Sequence, residues 1–183
     1  MKRIAMFFSE GYEEVEAIAV VDICRRCGLE IDMVSITEEP FVKSSHGIVV
    51  GMDKTFSQVD FGEYDMLVLP GGLKGTQGLE AFEPLMEQID RFYEKGKYIG
   101  AICAAPSIFG HRGILKGRKA CCYPGFEQEL TGATVSRENV AVDGHVVTSR
   151  GMGTATDFGL AIAAIFCGQD KAEEIKQQVV YKQ

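Results

Sequence analysis

Residues 99–107 read IGAICAAPS, an apolar run that ends on a cysteine and passes at once into Ala-Ala-Pro. Proline is tolerated in the first turn of a helix, where its missing N–H has no intrahelical partner to lose. The stretch therefore reads as a strand over 98–103 turning sharply into a helix that opens between Ala104 and Phe109, with Cys103 at the carboxyl end of the strand. Two roles are open to such a cysteine: a buried thiol behaving as a small hydrophobe, or a nucleophile presented on a strand-to-helix turn.

Working outward, MLVLP (66–70) is a continuous apolar run stopped by Pro70-Gly71-Gly72, the pattern of a parallel strand buried on both faces. RIAMFF (3–8) is a similar run, ended by Ser9, Glu10 and Gly11. Residues 13–27 follow with apolar positions at helical spacing, Gly28 suits the left-handed residue past a helix end, and EIDMVSI (30–36) is a second strand. Residues 42–56 hold short β-rich pieces broken at Gly47 and Gly51, a hairpin or edge excursion. A helix is expected over 80–94. Strand-like pieces recur at 119–124 and 134–139, a hairpin over 140–149 turns at Asp143-Gly144, and an apolar helix covers 154–167 with Thr154 as its N-cap. Alternating strands and helices predict an α/β fold: a mostly parallel central sheet with helices on both faces and ligands bound outside the carboxyl ends of the strands. Three ends carry chemistry, SEGYEEVE, PGG and Cys103-Ala104-Ala105, and these loops are expected to meet.

Bulk properties narrow the function. The chain has 183 residues, enough for one domain over 1–183, with 46% hydrophobic and 25% charged residues. Its net charge of −7 argues against nucleic acid or anionic membrane as a partner. No apolar run approaches the roughly 18 residues of a membrane span, and the first apolar run is too short for a secretory signal. A cytoplasmic protein with six reduced cysteines is expected. The three histidines are far apart in sequence, so no metal site is expected.

A thiol becomes nucleophilic as thiolate, which the amides and dipole at a helix start favour. Ala104 and Ala105 add no bulk beside Cys103, and Gly71-Gly72 present bare amides, so two backbone sources can form one oxyanion hole. On this basis the Cys103 pKa is expected below the ordinary thiol value of about 8.5. Glu13 and Glu14 complement the dipole of the first helix. Glu16 points toward its apolar side; burial there raises a carboxyl pKa and suits it to proton transfer.

SEGYEEVE, VLPGG, AICAAPS and TSRGMGT, in this order and spacing over about residues 2 to 180, resemble the ThiJ/PfpI superfamily, specifically its parkinsonism-associated DJ branch. The resemblance implies a flavodoxin-like three-layer α/β/α sandwich of the class I glutamine amidotransferase-like kind, with Cys103 on a nucleophile elbow. It also implies Glu16 hydrogen-bonded to the thiol, oxyanion donors at Gly72 and Ala104, a pocket including Gly71, Arg26 and His46, and a homodimer. Tyr123, in CCYPG, stands where many members of the branch carry histidine, and His46 stands where they carry another basic residue.

The implied activity is cofactor-free, cysteine-dependent chemistry on reactive small carbonyls, methylglyoxal to lactate of the glyoxalase III type, or deglycation of glycated proteins. An alternative is a stress-linked redox sensor or chaperone in which the same cysteine is oxidised. Proteolysis is disfavoured, because the superfamily's peptidase has histidine directly after its nucleophile and Ala104 stands there. Cys24 and Cys27 spell C-x-x-C, but at the wrong end of their helix for thiolate stabilisation. Cys121 and Cys122, adjacent on a strand, should face opposite ways. The Gly151–Gly153 segment lacks the full phosphate-loop pattern and reads as a tight turn.

Overall fold

A computed structural model describes residues 2–182. In chain order the elements are β1 (Arg3–Phe8), α1 (Glu14–Arg26), β2 (Glu30–Ser35), β3 (Phe41–Lys43), β4 (Val49–Gly51), β5 (Lys54–Thr55), β6 (Met66–Leu69), α2 (Leu73–Glu80), α3 (Glu83–Glu94), β7 (Tyr98–Ile102), α4 (Pro106–His111), β8 (Lys119–Ala120), β9 (Thr134–Val135), β10 (Val140–Asp143), β11 (Val146–Ser149), α5 (Ala155–Cys167) and α6 (Gln169–Gln178). Seven strands form one sheet in the order β10-β11-β7-β6-β1-β2-β5. All neighbours pair in parallel except β10 with β11.

The alternation of β1 divides the core. Ile4, Met6 and Phe8 face α1, α5 and α6, packing with Val20, Phe158 and Ile175. Ala5 and Phe7 face α2, α3 and α4, packing with Leu79, Ile89 and Phe109. Strands covered on both faces must be apolar at every position, which is why RIAMFF and MLVL read as unbroken runs. Burying a side chain of this size stabilises the fold by about 1.5–3 kcal/mol.

At the end of α1, Gly28 (φ +79°) adopts the left-handed conformation. Its N–H meets the Arg25 carbonyl while that of Leu29 meets Cys24, releasing the chain into β2. From β1 the chain steps to β2 on one side and returns as β6 on the other. That reversal opens a crevice above the carboxyl ends of β1, β6 and β7.

Four segments differ from the sequence reading. Helix begins at Leu73, directly after Gly72, and is interrupted at Ala81–Phe82 before α3. The 42–56 region is a separate two-stranded hairpin, β3–β4, plus the edge strand β5. The strands expected at 119–124 and 134–139 shrink to the two-residue pair β8–β9. A terminal helix, α6, follows α5. Thr154 does precede α5, but its hydroxyl accepts from the amides of Arg150 and Gly151 and so closes the preceding turn.

Candidate active site

Three loops meet above β1, β6 and β7, as the spacing of their motifs implies. Cys103 has φ +67°, a left-handed conformation that costs a non-glycine residue on the order of 1–3 kcal/mol. The surrounding backbone holds it there. Cys103 N–H donates to the Ser149 carbonyl at 3.1 Å, its carbonyl accepts from Tyr123 N–H at 2.8 Å, and Ala105 N–H donates to Ile102 at 3.1 Å. The thiol is thus turned out of the sheet end at the start of α4, partly exposed.

Glu16 arrives from the first turn of α1. Glu13 is that helix's N-cap, its carboxylate accepting the Glu16 amide at 2.6 Å, while Glu13 N–H donates to the Gly71 carbonyl at 2.9 Å. Glu16 is 1% exposed, and its Oε2 accepts from Gly71 N–H at 3.1 Å. The Met152 amide and the Cys103 thiol also hydrogen-bond its carboxyl. Gly71 marks how closely these groups converge: a Cβ built there would lie 2.3 Å from Glu16 Oε2, 2.4 Å from Cys103 Cβ and 3.0 Å from Cys103 Sγ. Only glycine fits between carboxyl and thiol.

Burial raises the Glu16 pKa to about 7; the Glu13 charge adds to the rise, while the hydrogen bonds from Cys103, Gly71 and Met152 oppose it. Burial also pushes the Cys103 thiol up to about 12, reinforced by the negative charge and hydrogen bond of Glu16 and opposed by the amides of Gly72 and Ala104. The expectation of a thiol below its ordinary pKa is therefore corrected: water is excluded too well, and a carboxylate lies too near, for the helix start to prevail. The pair shares a proton, and thiolate forms most readily when that proton passes to Glu16. The amides of Gly72 and Ala104, proposed above as oxyanion donors, both reach the sulfur.

Of the other expected pocket residues, Tyr123 lies at the rim. A Cβ on Gly151 would be 3.3 Å from its ring and 3.6 Å from Glu16 Oε1, so Gly151 separates the two side chains. Arg26 does not reach the site. It ends α1, ten residues and about 15 Å along the axis beyond Glu16, and pairs with Asp22 at 2.6 Å. His46, in the β3–β4 loop, is hydrogen-bonded to Glu14 at 2.9 Å and to Ser45, and no hydrogen bond joins it to Glu16 or Cys103. Both departures have one cause: motif order assigns residues to an element without saying which end or face of it they occupy.

Sequence reasoning missed two contributions. Met152 donates to Glu16 from a segment read only as a turn, and its signal was the TSRGMGT motif itself. The fold also gathers Glu13, Glu14 and His46, with donor atoms within 4.8 Å of one another, which separation in sequence concealed; Glu13 caps α1 there and Glu14 binds Ser45 and His46. Of the other cysteines, Cys24 is fully buried as expected, while Cys121 and Cys122 lie just past β8 and not on it, Cys121 contacting the Thr148 carbonyl at 3.2 Å and Cys122 joining the core that includes Phe109.

The chain matches the DJ-1/PfpI family over residues 2–165. It belongs to that family. Protein dj-1beta of Drosophila melanogaster is 31% identical over 176 residues, covering 95% of this chain and 94% of the relative. Protein DJ-1 homolog B of Arabidopsis thaliana is 34% identical over 183 residues, 99% of this chain but 42% of the relative, so the chain spans less than half of that longer protein. Among solved structures, oxidized Toxoplasma gondii DJ-1 superposes with TM-score 0.95 at 29% identity, covering 100% of both chains. The family's flavodoxin-like α/β architecture is the one described above. Among the described residues, no helix is long and apolar enough to cross a membrane.

The Glu16 shift makes stability depend on pH. Its folded pKa of about 7 lies above the ordinary 4.5, so the folded state holds the proton more tightly. The stabilising contribution is full below pH 4.5 and is lost as pH rises through 7. Glu16→Gln cannot ionise. In urea unfolding, the stability of the variant relative to wild type should rise by about 3 kcal/mol between pH 4.5 and pH 8; a pH-independent difference would show that Glu16 does not titrate as described.

Proposed function

We propose that this DJ-1/PfpI protein is a cofactor-free, cysteine-dependent enzyme acting on reactive small carbonyls, with methylglyoxal as the model substrate. The observation that supports this most directly is a buried carboxyl titrating near neutrality in hydrogen-bond contact with a reachable thiol flanked by two amides. A base of that pKa is well matched to proton transfer at physiological pH.

Glu16 takes the thiol proton as Cys103 Sγ bonds to the aldehyde carbon; the carbonyl oxygen, held by the Gly72 and Ala104 amides, receives the proton and a hemithioacetal results. Glu16 then removes the proton from that carbon to give an enediolate and returns the same proton to the neighbouring carbon, while the hydroxyl proton of the first carbon passes to the oxygen of the second; the first carbon is oxidised and the second reduced. The product is a lactoyl thioester on Cys103. Water cleaves it, releasing lactate and the thiol, so one methylglyoxal and one water become one lactate. Deglycation of a protein adduct would begin with the same carbonyl addition.

A second reading, redox sensing at the same sulfur, is favoured by the place of Cys103 beside Glu16 and two backbone amides; it is partly exposed, as is Cys167, while Cys24, Cys27, Cys121 and Cys122 are buried. The Toxoplasma relative was solved in an oxidized form. One peroxide would convert the Cys103 thiolate to sulfenate with release of water, and a second would carry it to sulfinate, with protonated Glu16 as hydrogen-bond donor. Proteolysis is disfavoured because it lacks an imidazole beside the thiol to protonate the leaving amine. Ala104 follows the nucleophile, and the chain's three histidines are held elsewhere, His46 by Glu14, His111 by Glu80 and Glu129, and His145 by the Tyr93 carbonyl.

Incubation with methylglyoxal, followed by NMR, should yield stoichiometric lactate with wild type and only background with Cys103→Ser; equal rates would remove the enzymatic reading. The Cys103 alkylation rate against pH should show an inflection near 7, where Glu16 becomes able to accept the thiol proton. In Glu16→Gln that inflection should vanish and the rate at pH 7.5 fall by about tenfold or more, whereas an unchanged profile would deny Glu16 its role as base. Under mild peroxide, intact-mass and peptide mapping should place two added oxygens on Cys103 and none on the other five cysteines, the partly exposed Cys167 included; indiscriminate oxidation would count against the redox reading.

A further inference from the structure

The arginines of this chain divide into two groups. Arg3, Arg25, Arg26, Arg91, Arg112 and Arg118 each lie within 3.8 Å of a carboxylate. Arg137 and Arg150 have no such partner among the described residues, in a protein with 26 acidic residues against 19 basic ones. They also lie together. Arg150 Nη1 donates to the Arg137 carbonyl at 3.4 Å, and both side chains line one cavity of about 520 Å³ with Cys122, Pro124, Glu127 and Val135. Two neighbouring guanidiniums, neither in a salt bridge among the described residues and both acting on Glu127 only at longer range, repel each other, and their planar donor forks match the oxygens of phosphate or carboxylate.

Glu127 is the one carboxylate lining this cavity. It accepts the Gly125 amide at 2.7 Å and lies outside salt-bridge distance of both arginines. With Glu127 ionised, the three charges sum to +1, so the site attracts an anion. Its place in the fold is defined by two adjacent bonds: Cys122 precedes Tyr123, whose amide binds the Cys103 carbonyl, and Arg150 follows Ser149, whose carbonyl binds the Cys103 amide. The cavity is thus next to the elbow, distinct from the cleft holding Glu16.

We propose that Arg137 and Arg150 form a binding subsite for the phosphate group of a small phosphorylated molecule. A phosphate dianion can engage both guanidiniums through separate oxygens, whereas a carboxylate carries one charge and two oxygens. The subsite is independent of the carbonyl chemistry at Cys103.

The test is an NMR shift titration of the full chain with inorganic phosphate at pH 7.5 and constant ionic strength, with acetate as a parallel arm. Saturable shifts should appear at Arg137, Arg150, Cys122 and Glu127. Arg137→Gln and Arg150→Gln should each weaken phosphate binding by about tenfold, and Glu127→Gln should strengthen it about threefold by removing a like charge. Acetate should bind at least about tenfold more weakly. Arg137 is exposed, so its variant keeps the test decisive should Arg150→Gln fail to fold. Non-saturating shifts, binding indifferent to Arg137→Gln, or acetate binding as tightly as phosphate would each overturn the proposal.

Discussion

The site depends on a carboxyl group being held out of water against a thiol. Burial hinders ionisation of both Glu16 and Cys103; the Glu16 carboxylate makes ionisation of the thiol harder still, whereas the thiol's hydrogen bond partly offsets the burial of Glu16. The pair therefore behaves as a single acid whose proton has two nearby resting places. This accounts for the glycines beside it. Gly71 has no room for a methyl between the two side chains. Gly72, at φ +88°, would drive a Cβ within 2.5 Å of the Gly11 carbonyl oxygen and 2.6 Å of the Glu13 amide nitrogen. The PGG motif is thus a condition of contact between the β1 and β6 loops as well as a source of bare amides.

The elbow is the second half of the same constraint. A left-handed cysteine persists only where its surroundings outweigh the strain. Here they are bonds to Ser149 at the end of β11 and to Tyr123 beyond β8, so two separate segments clamp the Cys103 peptide units. The clamp stands at the reversal of strand order, where β1, β6 and β7 end side by side. Sheet topology thereby delivers the acid, the amides and the sulfur from three different crossovers, and each side chain can be positioned without long, mobile loops.

Much of this was legible in the residues because the central strands are buried on both faces and so declare themselves as unbroken apolar runs. The limits of β1, α1, β2, β6 and β7 fall within about a residue or two of those expected from pattern. Helix α2 was not legible, for a specific reason. LKGTQGLE carries Gly75 and Gly78, which lower helix propensity. A Cβ at Gly75 would lie 2.7 Å from the Tyr12 backbone, and one at Gly78 would lie 2.1 Å from Ser9 Oγ. Those glycines let α2 pack directly on the β1–α1 loop, a tertiary gain that local propensity cannot register. Within one chain Arg26 stands apart from Glu16 for a related reason: a motif match carries chain order, whereas the distance from Glu16 to the far end of α1 is set by helical rise. The thiol pKa went astray because the favourable terms, helix start and amides, are visible as residues, while desolvation is a property of the assembled site.

The replacement of an imidazole position by Tyr123 sharpens the division of labour. Tyr123 offers a phenol, not an imidazole, and is half-exposed at the rim. With all three histidines engaged at other places, the titratable side chain in contact with the sulfur is Glu16, whose burial raises its pKa to about 7 without help from imidazole. Tyr123 is left as a wall, with Gly151 and Glu16 on one side and the arginine-lined cavity beginning at its neighbour Cys122. The two sides differ in sign as well as position: carboxyl-rich toward α1, guanidinium-rich toward β9 and β11.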